Sequence, residues 1–436
     1  MIVEESTKRL EPFANRLIRF CVAAGIVHAV ILLGIMPRLS RQLAPLYNQS
    51  VFADGYDQLA TNLVDGYGYR FYRDTAPTLL REPGYPMLLA SLFRLFGTTF
   101  TVVTVTNMVM VLATAMLVAA ICRRVSDDGR FIVAAPLLFM FHPGILIAES
   151  RGGPEAVFML FLTLFVLMVY VALRTEKASA YGFAGAILGV VVLIKSTPIA
   201  CPILLFAYLA ATRRQRLLIV VRNIGSMLAA MLVVMSPWII RNYVVTKRFV
   251  PTASIVGVSA HAGQYICMNL DRDKQLVAVD RQAAQERMAL ATEMGYPFKH
   301  VETGYYQLFY SSVDEVRFSS DLLKRVADEY RSRPALFAKC VGLNLFNLWF
   351  AGKTWRSTGL NIVVQLPYLV LAFYGIVVSL RDDRGRRIAP LLLILISYVA
   401  VHVAILAQAR YSVPLIPFIS ILAVVPFRER LARHPV

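Results

Sequence analysis

Along the chain, apolar runs alternate with short polar loops, the pattern expected of helices that each cross a bilayer. The runs fall at 17–36, 101–122, 131–149, 155–173, 180–195, 198–211, 223–240, 360–380, 388–406 and 412–427. The expected architecture is an all-α polytopic membrane protein with about ten transmembrane helices. Two further apolar pieces, 85–97 and 335–351, are short or carry charges (Arg94, Lys339), and are expected as half-buried or juxtamembrane helices. The first run follows a charged leader, but the residues after it (PRLSRQLAPLY) offer no small-residue cleavage site, so it reads as an uncleaved first span.

Loop charge sets the expected orientation, because cytoplasmic loops retain Lys and Arg during insertion. With the N-terminus inside, the inner loops hold Arg123, Arg124 and Arg130, then Arg174 and Lys177, then Arg213, Arg214, Arg216 and Arg222. Further along they hold Arg381, Arg384, Arg386 and Arg387, and finally Arg428, Arg430 and Arg433. The short outer turns hold only Arg151, Lys195 and Arg410. Both termini are therefore expected in the cytoplasm. The division is an N-terminal transmembrane module, 1–240, with a first outer loop at 37–100; an extracytoplasmic segment, 241–359; and C-terminal transmembrane helices, 360–436. Within the second of these, 271–300 shows charges at helical spacing, and DLLKRVADEYRSRP reads as an amphipathic helix on the outer face. No internal repeat is evident, which weakens the case for an inverted-repeat transporter.

Composition strengthens the membrane reading: 57% of residues are hydrophobic, 17% are charged and mean hydropathy is +0.59. A net charge of +18 would suit nucleic acid, but the basic residues lie in short patches between apolar runs rather than in one stripe, so no nucleic-acid partner is expected. Cys21, Cys122, Cys201, Cys267 and Cys340 are odd in number and far apart, indicating neither a disulfide framework nor a zinc site. His28, His142 and His402 are isolated in or near spans and are expected to be buried, hydrogen-bonded side chains.

Candidate chemistry begins in VFADGYDQLATNLVDGYGYRFY, residues 51–72, which places Asp54, Asp57 and Asp65 between apolar runs. Tyr56, Leu59, Ala60, Leu63 and Val64 recur at helical spacing until Gly66 and Gly68 stop the pattern. Asp54 then stands at a helix start, where it reads either as an N-cap or as a reactive carboxylate. Asp57 and Asp65 are expected to be solvated. Asp54, Arg81, Glu82, Glu149, Arg151, Glu155, Lys195, Arg241 and Arg410 all fall on the outer side, in loops or near helix ends. Ionisable groups at that depth are costly unless they face a polar cavity, so a shared cavity at the outer leaflet is expected; for any one Arg alone, snorkelling to headgroups is the competing account. The chain has no Walker A motif and no GxGxxG before a helix, and its nearest approach to a DxD triplet is DRD at 271–273, which argues against soluble nucleotide-sugar chemistry.

Read in order, Asp54, then TNLVDGYGY, then REPGYPMLLASLFRLFG resemble the first outer loop of the bacterial glycosyltransferase family 39 group. These are polyprenol-phosphate-sugar-dependent enzymes of the type C fold, related to protein O-mannosyltransferases and to the lipid A aminoarabinose transferase. SRGGPEAVFMLFLTL, GVVVLIKSTPIACP, SPWIIRNYVVTKRFVPTAS and AQARYSVPLIPFISILA resemble later landmarks of the group. The polar part of 241–359 has no counterpart. The resemblance implies a type C glycosyltransferase-like fold and transfer of a sugar from a polyprenyl phosphate to an envelope glycan, lipid or protein acceptor outside the cytoplasm. Asp54 would be the general base and Glu155 a second acidic catalytic residue. Lys195, Arg81, Arg241 and Arg410 would bind the donor phosphate, and Tyr56, Glu82 and Tyr85 the substrate. A single displacement would invert the anomeric centre. No cofactor is fixed: a divalent metal shared by Asp54 and Glu155, or none, both remain open. The expected location is a bacterial inner membrane, with the site facing the periplasm or exterior. The competing functions are a lipid-linked sugar flippase or transporter, since charged groups and broken helices also mark transport paths, and an O-antigen ligase or polymerase using a diphosphate-linked donor.

Overall fold

A computed structural model describes residues 23–35, 54–126, 130–270, 276–299, 308–381 and 385–427. The N-terminal half contains α1 (Ala23–Ile35), α2 (Tyr56–Val64), α3 (Gly84–Phe96), α4 (Phe100–Val125), α5 (Phe131–Met140), α6 (Pro143–Glu149), α7 (Glu155–Thr175), α8 (Ala178–Ile194), α9 (Cys201–Thr212) and α10 (Leu217–Thr246). The rest contains α11 (Ile255–Asn269), α12 (Leu276–Glu293), α13 (Ser312–Ser332), α14 (Pro334–Phe350), α15 (Trp355–Arg381), α16 (Gly385–Ala404) and α17 (Ile416–Val424).

The chain is an all-α polytopic membrane protein. By length and composition α4, α7, α10, α15 and α16 each suffice to cross a membrane, and α5 with α6, bent by 57°, make a sixth span if counted as one. The other four expected spans coincide with shorter apolar helices, at Ala23–Ile35, Ala178–Ile194, Thr197–Thr212 and Ala409–Val424. Residues 17–22 and 36 of the first expected span, 37–53 of the expected first outer loop, and the basic tail from 428 lie outside the described residues. Proline sets two of the breaks, by removing a backbone donor and fixing φ. Pro143 opens α6 behind His142, whose Nδ1 accepts from the Gly144 N–H at 3.0 Å. Pro198 follows the extended residue Lys195, and a 3₁₀ turn, Thr197–Ala200, carries the chain into α9.

Exposure separates inner from peripheral helices. The apolar window of α7 is 67% buried, whereas those of α10 and α15 are 28% and 22% buried, leaving Leu218, Val233, Val363 and Phe373 on the outside, where hydrocarbon is their natural solvent. Close packing of α8 on α10 rests on Gly185 and Gly189: a Cβ at Gly185 would collide with the Met227 carbonyl, and one at Gly189 would lie 2.9 Å from the Met231 carbonyl. Small residues at this spacing let helix backbones approach in a membrane.

Between α10 and α15 the chain forms a helical subassembly. The expected amphipathic helix is α13, which buries Phe318, Leu322 and Val326, one per turn. The pieces expected at 85–97 and 335–351 are α3 and α14. One element had no sequence signal: Phe298–Lys299 pairs antiparallel with Leu308–Phe309, strands too short to show a period. The cysteine reading needs correction. Cys267 on α11 and Cys340 on α14 form a disulfide with Cα atoms 5.4 Å apart, while Cys122 and Cys201 are free and buried. A separation of 73 residues hid the pair, because proximity here comes from helix packing and not from spacing. Replacing Cys340 with Ser is expected to cost about 2–4 kcal/mol, read as a lower unfolding temperature in detergent than wild type. The three histidines lie as expected. His28 Nε2 sits 2.8 and 2.9 Å from the Glu149 carboxylate oxygens, both side chains fully buried, and His402 Nδ1 is 3.1 Å from the Leu406 carbonyl.

Candidate functional site

Asp54 is not an N-cap. The cap of α2 is Gly55, with no side-chain bond to the helix, and both residues occupy the left-handed region, at φ 67° for Asp54 and 73° for Gly55. A Cβ at position 55 would approach Phe71 to 2.8 Å, so glycine is required there for space as well as for φ. For Asp54 the conformation is a strained one that its surroundings must maintain. What maintains it is charge. Asp54 Oδ1 lies 3.2 Å from Arg81 Nη2 and Oδ2 lies 3.1 Å from Arg410 Nη1, so one carboxylate bridges two guanidinium groups. The Asp54 side chain keeps 20% of its surface exposed and Arg410 27%, leaving the pair accessible to a reactant. Asp65 pairs loosely with Arg73 at 3.8 Å on the surface, as expected, whereas Asp57 is half-buried and burial raises its carboxyl above the ordinary value.

Arg81 is delivered by REPGYP. Tyr69 donates its hydroxyl to the carbonyls of Arg81 and Glu82 at 3.1 and 3.0 Å, fixing the turn before α3. Gly84 brings that turn against the end of α8, where a Cβ would lie 2.8 Å from the Leu193 carbonyl. The approach lets Glu82 Oε1 accept from the N–H and hydroxyl of Ser196 at 3.1 and 2.7 Å, tying the Arg81 turn to the segment that carries Lys195. Arg81 also lies 5.3 Å above the Tyr56 ring, which meets Tyr85 edge-on at 5.1 Å. Burial raises the Tyr56 phenol, with Arg81 partly opposing, so it stays a hydrogen-bond donor. The Tyr85 hydroxyl is buried and has no hydrogen-bond partner among the described residues.

Lys195 stands on the same side. Its ammonium donates to the Tyr398 hydroxyl at 3.1 Å and lies 4.5 Å from the Tyr411 ring centroid, 5.6 Å from that of Tyr398 and 5.8 Å from that of Phe158. Its close partners are aromatic faces and a phenol hydroxyl: among the described residues no carboxylate comes within salt-bridge range. Glu155 and Asp54 act on it only at longer range. Glu155 opens α7 with its carboxylate folded over Gly153, where any Cβ would collide with it. The 3₁₀ segment Ala409–Leu415 carries both Arg410 and Tyr411, whose hydroxyl receives a bond from Arg410 Nη2 at 3.2 Å.

Thus the structure gathers Asp54, Arg81, Arg410, Lys195, Glu82, Glu155, Tyr56 and Tyr85. It does not bring Arg241 onto the Asp54 carboxylate. Arg241 Nη1 donates to the Thr78 carbonyl and to Asn242 Oδ1, each at 3.0 Å, and the guanidinium lies 4.7 Å from the Trp238 ring. Glu149 is likewise engaged elsewhere, by His28. Tyr398, Tyr411 and Ser196 were missed in the sequence. Tyr411 and Ser196 adjoin residues already singled out, whereas Tyr398 lies inside an apolar run and had no signal of its own. No group of three or more His, Cys, Asp or Glu side chains suited to a metal occurs among the described residues. The DRD triplet at 271–273 lies outside them.

Residues 78–240 match the model of a family described as dolichyl-phosphate-mannose-protein mannosyltransferase. Over this segment the chain is similar to that family. The match takes in Arg81, Glu82, Tyr85, Glu155 and Lys195, while Asp54, Tyr56, Arg241 and Arg410 fall outside it. Among solved structures, the chain is similar to ArnT from Cupriavidus metallidurans bound to undecaprenyl phosphate, at 14% identity and a TM-score of 0.39, over 87% of this chain and 75% of that one. No curated protein sequence matches this chain.

Proposed function

We propose that this protein is a membrane glycosyltransferase that moves a sugar from a polyprenyl-phosphate donor to an acceptor on the extracytoplasmic side, with inversion. The observation that carries the reading is the bridged carboxylate: Asp54 between Arg81 and Arg410, with Lys195 and its aromatic surround alongside. The family match over 78–240 supports a lipid-phosphate sugar as donor class. Basic inner loops support the orientation, and so does the Cys267–Cys340 disulfide, since such bonds persist in oxidising compartments.

In this reading the acceptor hydroxyl approaches the exposed edge of Asp54, which takes its proton as the acceptor oxygen attacks the anomeric carbon. The bond from that carbon to the phosphate oxygen breaks, and the electron pair leaves with the polyprenyl phosphate. Lys195, Arg81 and Arg410 stabilise the growing phosphate charge, which they do better in a partly desolvated site than in water. Tyr85 supplies a buried hydroxyl for the sugar, Tyr56 a ring wall, and Glu82 holds the Arg81 turn. Glu155, at the start of α7, is the second acidic group of the site.

The test uses purified protein in nanodiscs with a panel of labelled polyprenyl-monophosphate sugars and a diphosphate-linked oligosaccharide. Label transferred to an acceptor, or slowly to water, from monophosphate donors alone is the expected result. Turnover from the diphosphate donor alone would replace this reading with a ligase or polymerase, and movement of intact lipid-sugar across the bilayer without covalent product would replace it with a flippase.

A further inference from the structure

The segment 241–359 has no part in the chemistry above, yet it holds the loop that delivers Arg81. Residues 76–80 run between α13, the start of α11 and the end of α10, with little regular structure of their own. The Ala76 N–H donates to the Phe309 carbonyl at 3.2 Å, the Thr78 N–H to the Tyr69 carbonyl at 2.9 Å, and the Ser254 N–H to the Leu79 carbonyl at 2.7 Å. Two charged side chains grip the peptide group between Thr78 and Leu79 from its two ends. Its carbonyl accepts from Arg241 Nη1 at 3.0 Å, and its N–H donates to Glu315 Oε1 at 2.8 Å. Glu315 also accepts from the Thr78 hydroxyl at 2.7 Å and the Ser254 hydroxyl at 2.6 Å, and is only 6% exposed.

A buried carboxylate with three donors and a cation one peptide away is costly to assemble, and an apolar side chain of similar volume would pack as well. What an apolar residue would not do is fix the rotation of one peptide plane. Arg81 lies two residues beyond that plane, and its guanidinium must meet Asp54 at hydrogen-bond distance.

We infer that Glu315 and Arg241 form a positioning pair, clamping the Thr78–Leu79 peptide so that the outer segment sets the placement of Arg81 against Asp54 and the donor phosphate. The inference rests on the proposed function and gives Arg241 a place in it: it acts through the loop. Helix α13 thereby becomes the support of the site's most buried guanidinium, and movement of that helix against α11 would be felt at Arg81.

The test is a double-mutant cycle, since residues that act through one another are non-additive. Glu315→Gln keeps the shape but loses one acceptor, and is expected to lower kcat about tenfold in the wild-type background, given the sensitivity of catalysis to small displacements of a positioned group. In an Arg81→Ala background the same change is expected to cost less than about twofold, because the group it positions is gone. Arg241→Gln is expected to behave alike. An equal factor in both backgrounds would overturn the inference and mark the pair as merely structural, and so would an unchanged kcat in Glu315→Gln. Hydrogen exchange gives a readout free of the catalytic reading: backbone amides in 76–82 are expected to exchange faster in Glu315→Gln while those of α7 do not change. Unchanged exchange in 76–82 would also overturn the clamp. Arg81→Ala at the wild-type rate, with faster exchange in 76–82, would instead sink the role of Arg81 and leave the clamp without a catalytic purpose.

Discussion

Asp54→Asn is expected to lower sugar transfer by about 10³-fold while the protein still inserts and folds, within the range that a positioned general base contributes. Asparagine preserves the size of the side chain and tolerates the left-handed backbone at φ 67°, so the strained turn before α2 survives. It removes the charge that bridges Arg81 at 3.2 Å and Arg410 at 3.1 Å and the basicity that accepts the acceptor's proton. Loss of the bridge predicts a second effect: two guanidinium groups without their carboxylate bind the donor phosphate at least as well as before. Measured together, kcat should collapse while donor affinity holds or rises. Wild-type turnover would remove Asp54 as base; equal loss of kcat and of donor binding would assign it to scaffolding.

Lys195→Met is expected to lower kcat by about 10²–10³-fold, as for loss of a charge aimed at a developing anion. Methionine matches the apolar stem and packs well against rings, so the Tyr398, Tyr411 and Phe158 surround should accept it. What disappears is an ammonium whose close protein contacts are a phenol and aromatic faces, with no carboxylate in salt-bridge range among the described residues. Such a charge is paired by a ligand anion when one is bound. Lys195→Arg is expected to recover little, because a planar fork does not fill the space of a compact ammonium held over three rings. Comparing kcat and donor KM for both variants checks the assignment: a rise in KM at unchanged kcat would mean that Lys195 binds donor and transition state equally.

Much of the candidate site's local make-up was legible because its residues break local rules. Asp54, Lys195 and Arg410 are charges set against apolar runs, and Glu82 and Gly84 sit in a Pro- and Gly-marked turn. The cap reading of Asp54 failed for a reason invisible locally: Gly55 took the cap, and Asp54 turned toward cations supplied by distant segments. Arg241 stands among the expected phosphate-binding cations through the resemblance of SPWIIRNYVVTKRFVPTAS to a family landmark. A motif gives a position along the chain, but the direction of a side chain around a helix end depends on the neighbouring chain, here the Thr78 carbonyl. Glu315 had no signal at all, since a carboxylate in a polar amphipathic helix reads as solvated until the loop that covers it is placed.

Hydropathy and the placement of charges, both readable along the chain, determined an all-α membrane fold, the positions of its apolar helices and the ionisable residues that flank or interrupt them. They act over a turn or a span, and need no knowledge of which helices are neighbours. Tertiary structure alone decided which members of that set meet. Asp54 and Arg410 are separated by 356 positions, Thr78 and Glu315 by 237, and Cys267 and Cys340 by 73. Such contacts are fixed by the packing of helix ends, where Gly55, Gly84 and Gly185 permit approaches closer than any Cβ would allow, and no local pattern encodes them.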